Sequence, residues 1–251
     1  MTTQPLLQPD TDAPKATRTE TLSVVIPAYN EEATLESVLD KVAEVPLKLN
    51  MELLIVDDGS KDRTAEIAKA WADRNSDERI SVKVITKENG GKGTAVRRGI
   101  DESTGEYLII QDADLEYDPN DYIKLLEPML AGEAEVVYGS RITGPDKPGS
   151  LKFYLGGKLV TLATNIIYWA HITDEPTCYK LFKGDLIRGI PLTCTGFEFC
   201  PEVTAKVLKR GLRIAEVPIR YFPRSIEEGK KIRSWDGVLA IWELLKWRFR
   251  N

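Results

Sequence analysis

The first 140 residues alternate between two rhythms of apolar spacing. Short runs rich in Val, Ile and Leu fall at 22–27, 53–56, 81–86, 107–111 and 134–139. The stretches between them, 31–45, 64–74, 92–102 and 121–130, return an apolar residue every three or four positions. The runs read as strands and the intervening stretches as amphipathic helices. Strand and helix in alternation predict an α/β architecture, a mostly parallel sheet covered by helices on both faces. Past residue 140 the rhythm changes. A Gly/Pro/Lys loop at 142–150 leads into a largely apolar helical stretch at 151–169. Strands are expected at 176–182 and 212–222, a helix at 197–209, a charged loop at 224–233 and an amphipathic helix at 235–250. Residues 1–20, rich in Thr, Pro, Gln and Asp, predict a disordered tail rather than a signal peptide. The remainder, 21–251, reads as one domain whose two halves meet at about residue 141.

Composition narrows the function classes. The chain has 251 residues, enough for one large core, and its net charge of −5 gives no general case for nucleic-acid binding. Cys178, Cys194 and Cys200 are odd in number and lack CxxC spacing. They suggest reduced thiols and a cytoplasmic location, not a disulfide framework or a zinc site. His171 is the sole histidine, which argues against a His-rich metal centre and a Ser-His-Asp triad. The longest uncharged window, between Lys158 and Asp174, is too short and too polar to span a membrane.

Candidate chemistry gathers at the strand ends. Asp112-Ala113-Asp114 closes the run at 107–110, and in extended chain residues i and i+2 point the same way. Two aligned carboxylates suit a hard divalent cation that also holds a diphosphate. Pro27-Ala28-Tyr29-Asn30-Glu31 and Asp57-Asp58-Gly59-Ser60 end two other runs, so three polar motifs are expected along one sheet edge. Gly90-Gly91-Lys92-Gly93 opens a helix without the spacing of a nucleoside-triphosphatase loop or of GxGxxG. It reads either as a capping turn or as glycines that let a nucleotide approach while Lys92 supplies positive charge.

Taken in order, VVIPAYNEE (24–32), IVDDGSKDRT (55–64), GGKGTAVRRG (90–99), QDADLEYDP (111–119) and YGSR (138–141) resemble the family 2 glycosyltransferases. The distal segments TDEPTCYKLF (173–182), GFEFCPEVTAKVLKRG (196–211), IAEVPIRYFPR (214–224) and EGKKI (228–232) resemble the dolichyl- or polyprenyl-phosphate mannosyltransferase branch. The resemblance covers about 22–250. It implies a GT-A fold with a Rossmann-like sheet, a nucleotide-sugar-binding half and a C-terminal acceptor-binding half. It places Pro27, Tyr29 and Glu31 around base and ribose, with Asp57 or Asp58 bonding the base. Lys92, Asp112 and Ala113 would line the nucleotide-sugar site, and Asp112 and Asp114 would hold Mg2+ or Mn2+ against the diphosphate. Glu116 would be a further ligand or support one, where such relatives often carry Gln. Arg141 would meet phosphate near the reaction centre. Arg224, Lys230 and Lys231 would belong to a loop that closes over phosphates, although relatives typically carry Ser at the place of Lys230.

Those roles agree with the chemistry of sugar transfer, in which negative charge grows on the departing diphosphate and preplaced cations stabilise it. The donor would be GDP-mannose or UDP-glucose, carrying the hexose. A polyprenyl (dolichyl or undecaprenyl) phosphate acceptor already has an ionised oxygen and needs cations, which Arg141 and the basic loop provide. A saccharide or small hydroxyl acceptor would need a general base, for which Asp174, Glu175 and Glu198 are candidates. One-step displacement by the lipid phosphate inverts the anomeric centre. Trp235, Trp242 and Trp247, with Lys246, Arg248 and Arg250, either anchor the last helix peripherally at the inner face of a membrane or pack into the core; the stretch at 151–169 poses the same choice. A phosphoacceptor signalling domain, suggested by Ile55-Val56-Asp57-Asp58, would leave everything after 140 unexplained.

Overall fold

The computed structural model describes residues 20–146, 150–224 and 234–250. The expected tail, most of the loop after Phe222 and the two lysines Lys230 and Lys231 therefore lie outside the described residues. Among the described residues, seven strands form one sheet in the order β3-β2-β1-β4-β6-β5-β7. They are β1 (Thr21–Ala28), β2 (Asn50–Asp57), β3 (Ile80–Thr86), β4 (Tyr107–Ile110), β5 (Val136–Ser140), β6 (Lys180–Lys183) and β7 (Ala215–Pro218). Pairing is parallel for β1 with β2, β1 with β4, β2 with β3 and β5 with β7, whereas β6 runs antiparallel to both neighbours. Val24, Val25 and Ile26, Leu53 to Val56, and Leu108 and Ile109 are fully buried. Unbroken Val/Ile/Leu runs are what a central parallel strand needs when both faces are covered.

Flanking helices are α1 (Leu35–Glu44), α2 (Thr64–Asn75), α3 (Lys92–Glu102), α4 (Tyr122–Leu130), α5 (Leu151–Tyr168), α6 (Gly184–Arg188), α7 (Phe199–Lys209) and α8 (Ser234–Phe249). Three expectations are corrected. Residues 31–34 form a turn before α1, the run at 176–182 is strand only from Lys180, and that at 212–222 is strand only over Ala215–Pro218. The short α6 has no counterpart in the periodicity, since five residues are too few to display one.

This topology sets the site. The parallel strands all present their carboxyl ends to one edge, so the segments after β1, β2, β4 and β5 meet there. The reversed β6 brings its preceding segment, 173–179, to the same edge. The connection leaving β7 returns to it through Tyr221, which bridges to Tyr117. The crevice opens where the order passes from β2-β1 to β1-β4, the place where the chain's winding changes direction.

Candidate active site

Hydrogen bonds between loops fix the edge. Asn30, in the left-handed region at φ 52°, donates its N–H to the Ser60 hydroxyl (2.9 Å) and accepts from Lys61 N through Oδ1 (2.8 Å). Thr34 donates to the Ala113 carbonyl at 2.9 Å, which ties the start of α1 to the acidic triplet. Gln111 is fully buried; its Oε1 accepts from Tyr122 Oη (2.6 Å) and Tyr179 Oη (2.8 Å), and its Nε2 donates to the Asp112 carbonyl (2.8 Å). The strand end before the triplet is thereby locked, with Tyr122 contributed from outside the quoted motifs.

A cleft of about 630 Å³ runs along this edge. Of the residues expected at the site, Pro27, Tyr29, Glu31, Asp58, Lys92, Asp112, Ala113, Asp114, Glu116, Arg141 and Arg224 line it. Asp57 is not among the lining residues; it is buried and accepts from Ser60 N at 3.2 Å. Asp58 anchors the glycine loop, accepting from Gly90 N (3.0 Å), Gly91 N (2.7 Å) and Lys87 Nζ (2.5 Å). Lys87 was missed by sequence reading because a lone Lys after a strand carries no pattern.

Two glycines of that loop are required by packing, and Gly91 also lines the cleft. Gly91 sits at φ 91°, and a Cβ there would lie 2.4 Å from the Thr195 carbonyl oxygen. A Cβ on Gly93 would press on the backbone of Cys194, Thr195 and Gly196. The Thr195 carbonyl accepts from Gly93 N at 2.9 Å, satisfying an amide at the start of α3.

Each carboxylate of the triplet faces a cation of the same chain. Lys92 Nζ pairs with Asp112 at 2.5 Å, and Arg224 Nη2 with Asp114 at 2.6 Å. Burial opposes ionisation of Asp112, but Lys92 overcomes it and holds the carboxyl below the usual range. For Asp114, burial and the neighbouring Asp112 and Glu116 outweigh Arg224, and its carboxyl is pushed up to about 7. With Glu116 beside the triplet, three carboxylates face two cations, and the cluster as a whole carries more negative charge than its own cations offset. Two closely spaced oxygen donors within such a cluster fit a hard divalent ion that takes its other ligands from a diphosphate and water. Among the described residues no three His, Cys, Asp or Glu side chains are grouped as an all-protein ion cage.

On the acceptor side, Asp174 grips Arg141. Its Oδ2 accepts from Arg141 N and Nε and its Oδ1 from Nη2, each at 2.8 Å. Burial works against both charges; the pair wins, so the carboxyl is held low and the guanidinium well above its ordinary value. The guanidinium also lies 5.0 Å from the Tyr221 ring centroid. Asp174 is thus committed as a counterion. Glu198 is committed too, accepting from Thr195 N (2.6 Å) and Gly196 N (2.9 Å). Glu175 lines the cleft, and among the described residues neither of its carboxyl oxygens has a hydrogen-bond partner.

At its far end the cleft is lined by Phe153, Gly157 and Val160 of α5 and by Gly237 and Ala240 of α8. These helices pack together through Val160, Leu244 and Trp247, and Tyr168 Oη donates to the Leu244 carbonyl at 2.7 Å. Their outward faces are apolar. Leu151, Leu155, Leu159, Leu162 and Ile166 form an exposed stripe on α5, and Trp235, Val238, Trp242 and Phe249 another on α8. Of the three tryptophans on α8, only Trp247 is buried.

Comparison with known proteins accords with this geometry. The chain is 33% identical over 212 residues to the low-salt glycan biosynthesis hexosyltransferase Agl6 of Haloferax volcanii, covering 82% of this chain and 49% of the relative. It is 30% identical to a dolichol-phosphate mannosyltransferase of Pyrococcus furiosus (90% of this chain, 64% of the relative). A dolichyl-phosphate beta-glucosyltransferase of Dictyostelium discoideum is 29% identical (89% and 76%). The chain thus spans about half the length of the first relative and under two thirds of the second. The crystal structure of glucosyl-3-phosphoglycerate synthase from Mycobacterium tuberculosis, which holds Mn2+, UDP and glucosyl-3-phosphoglycerate, superposes with a TM-score of 0.69 at 24% identity, over 91% of this chain and 80% of that one. The shared architecture is the GT-A fold. The model of glycosyl transferase family 2 matches residues 23–189, more than half of the sequence, and to that family the chain belongs.

Proposed function

We propose that this protein transfers a hexose, mannose or glucose, from a nucleoside-diphosphate sugar to a polyprenyl phosphate, with inversion at the anomeric carbon. The observation that carries this reading is the pairing, in one cleft, of an acidic cluster (Asp112, Asp114 and Glu116) that outnumbers its two cations with a half-buried guanidinium held rigid by Asp174. Pro27, Tyr29 and Asp58 line the end suited to the nucleoside, and relatives named for dolichol-phosphate products are consistent with the acceptor. Asp112 and Asp114 would hold Mg2+ or Mn2+. The ion, when bound, would offset charge on the departing diphosphate. Arg141, already oriented, draws the acceptor phosphate in against its repulsion from the donor and needs no reorganisation as charge moves. Two of the three carboxylates available as a general base are occupied, which suits an acceptor that brings its own ionised oxygen.

The exposed stripes of α5 and α8 support peripheral contact with a bilayer at the cleft's far end. Among the described residues no helix is long and apolar enough to cross a membrane. On α5 the usual arrangement is reversed: Thr161 and Thr164 are buried while Leu155, Leu159, Leu162 and Ile166 face out. Such a face is stabilised by an apolar phase, and Lys152 and Lys158 on the same helix suit anionic headgroups.

A hydroxyl acceptor is the second reading, favoured by Glu175 alone, whose carboxyl burial pushes up. Release of nucleoside diphosphate from GDP-mannose and UDP-glucose, with Mn2+ or Mg2+ and with either polyprenyl phosphate vesicles or small hydroxyl acceptors, separates the two. The first reading expects release only with the lipid phosphate. It also expects Asp114→Asn to cut the rate on the order of a thousandfold with a native circular dichroism spectrum, since one unit charge at ~4 Å is worth on the order of 4 kcal/mol at an effective dielectric of ~20. Turnover by that variant near the parent rate rejects the ion site.

A further inference from the structure

Residues 221–224 are strapped across the acidic triplet by one side chain and its backbone. Phe222 N donates to the Glu116 carbonyl at 2.8 Å, Tyr221 Oη to Glu116 Oε2 at 3.1 Å, and Arg224 N to Glu116 Oε1 at 2.8 Å. Glu116 itself is buried, so these are not surface contacts screened by water. The clasp delivers the Arg224 guanidinium into the triplet, where Nη2 bonds Asp114 at 2.6 Å and Nη1 lies 4.0 Å from Glu31. Arg224 Nε is buried and among the described residues makes no hydrogen bond, although Glu116 Oε1 is 3.8 Å away. The guanidinium is thus held chiefly for its charge, with its Nε–H unused.

We propose that Arg224 is the resident countercharge of Asp114, competing with the divalent ion for the same carboxylate, and that Glu116 is a positioning residue that holds Arg224 there rather than a ligand of the ion. Both carboxyl oxygens of Glu116 are already committed to the strap. When donor and ion bind together, the diphosphate offers Arg224 a new anionic partner and releases Asp114. The free protein therefore takes up the ion poorly, and takes it up well only with a nucleoside diphosphate. This inference rests on the donor-and-ion reading above, and it explains a departure in the sequence: a carboxylate at 116 accepts both the amide of Arg224 and the hydroxyl of Tyr221.

The test is Mn2+ binding to the full chain without nucleotide, read from the electron paramagnetic resonance of free Mn2+. Arg224→Gln, which keeps the shape and removes the charge, is expected to bind Mn2+ at least fivefold more tightly than the parent. Arg224→Lys, which keeps the charge, is expected to stay within fivefold of the parent. A smaller gain for Arg224→Gln overturns the competition. In the Arg224→Gln background, adding Glu116→Gln is expected to change Mn2+ affinity less than fivefold; a larger loss makes Glu116 a ligand and overturns its positioning role. Circular dichroism confirms that each variant is folded. A parallel calorimetric titration of the parent with GDP or UDP, with and without Mn2+, keeps the failures apart. Nucleotide binding that needs Mn2+ together with no gain in Arg224→Gln sinks only this inference, whereas binding of neither nucleotide sinks the donor reading and this inference with it.

Discussion

Asp174 makes three hydrogen bonds to Arg141, and only a carboxylate can accept all three while neutralising the guanidinium. Asp174→Asn would leave the half-buried Arg141 guanidinium without its buried countercharge, a change that costs up to about 3–5 kcal/mol when one partner of a buried pair is removed. Urea denaturation should show a loss of that order at pH 7, together with a fall in transfer rate as Arg141 loses its orientation. A variant of parental stability that failed only with hydroxyl acceptors would return Asp174 to the role of general base. At this scale the sequence named the acidic triplet, Arg141 and Asp58, because each belongs to an ordered motif. It could not show that Lys92 and Arg224 turn to Asp112 and Asp114, since those pairs join residues 20 and 110 positions apart.

Elements are joined by similar commitments of charged groups to backbone. The segment before α7 folds over α3 because Glu202, fully buried, accepts from Thr193 N (2.9 Å), Cys194 N (2.6 Å) and Lys206 Nζ (2.5 Å). Burial raises the carboxyl's pKa, but the bonds from Lys206 and the Thr193 amide prevail and hold it below the usual value. With the folded value depressed, the stabilisation is complete above the unfolded value of 4.5 and is lost as pH falls through the folded value. Glu202→Gln should therefore destabilise the protein by about 2 kcal/mol at pH 7, with the gap to the parent closing below the unfolded value. Equilibrium unfolding at pH 7 and at pH 3.5 measures it; a gap independent of pH would mean that Glu202 contributes shape and not charge. The periodicity placed nearly every helix and strand, and it erred at strand ends near the site, where backbone leaves the ladder to carry side chains.

For the whole molecule the decisive feature is the apolar face shared by α5 and α8 at the far end of the cleft. If that face meets a bilayer, Leu159→Glu and Trp242→Glu should each reduce sedimentation with anionic phospholipid vesicles at least tenfold. Because both side chains are exposed, stability of the free protein should change by no more than about 0.5 kcal/mol. Unchanged vesicle binding by both variants would remove the membrane from the account. From sequence, the apolar helices fitted interfacial anchoring and core packing equally well. Helical spacing shows that a face exists, not which neighbour it meets.

The sequence by itself determined the layered α/β architecture and the family, because strand and helix periodicities and the order of motifs are local properties of the chain. It also determined that carboxylates would stand at a strand's carboxyl end. Tertiary structure alone decided which cation faces each carboxylate, which acids are already committed as counterions, and which side of α5 looks outward. Those outcomes depend on contacts between segments far apart in sequence, and a side chain's charge and partners follow from what the fold brings beside it.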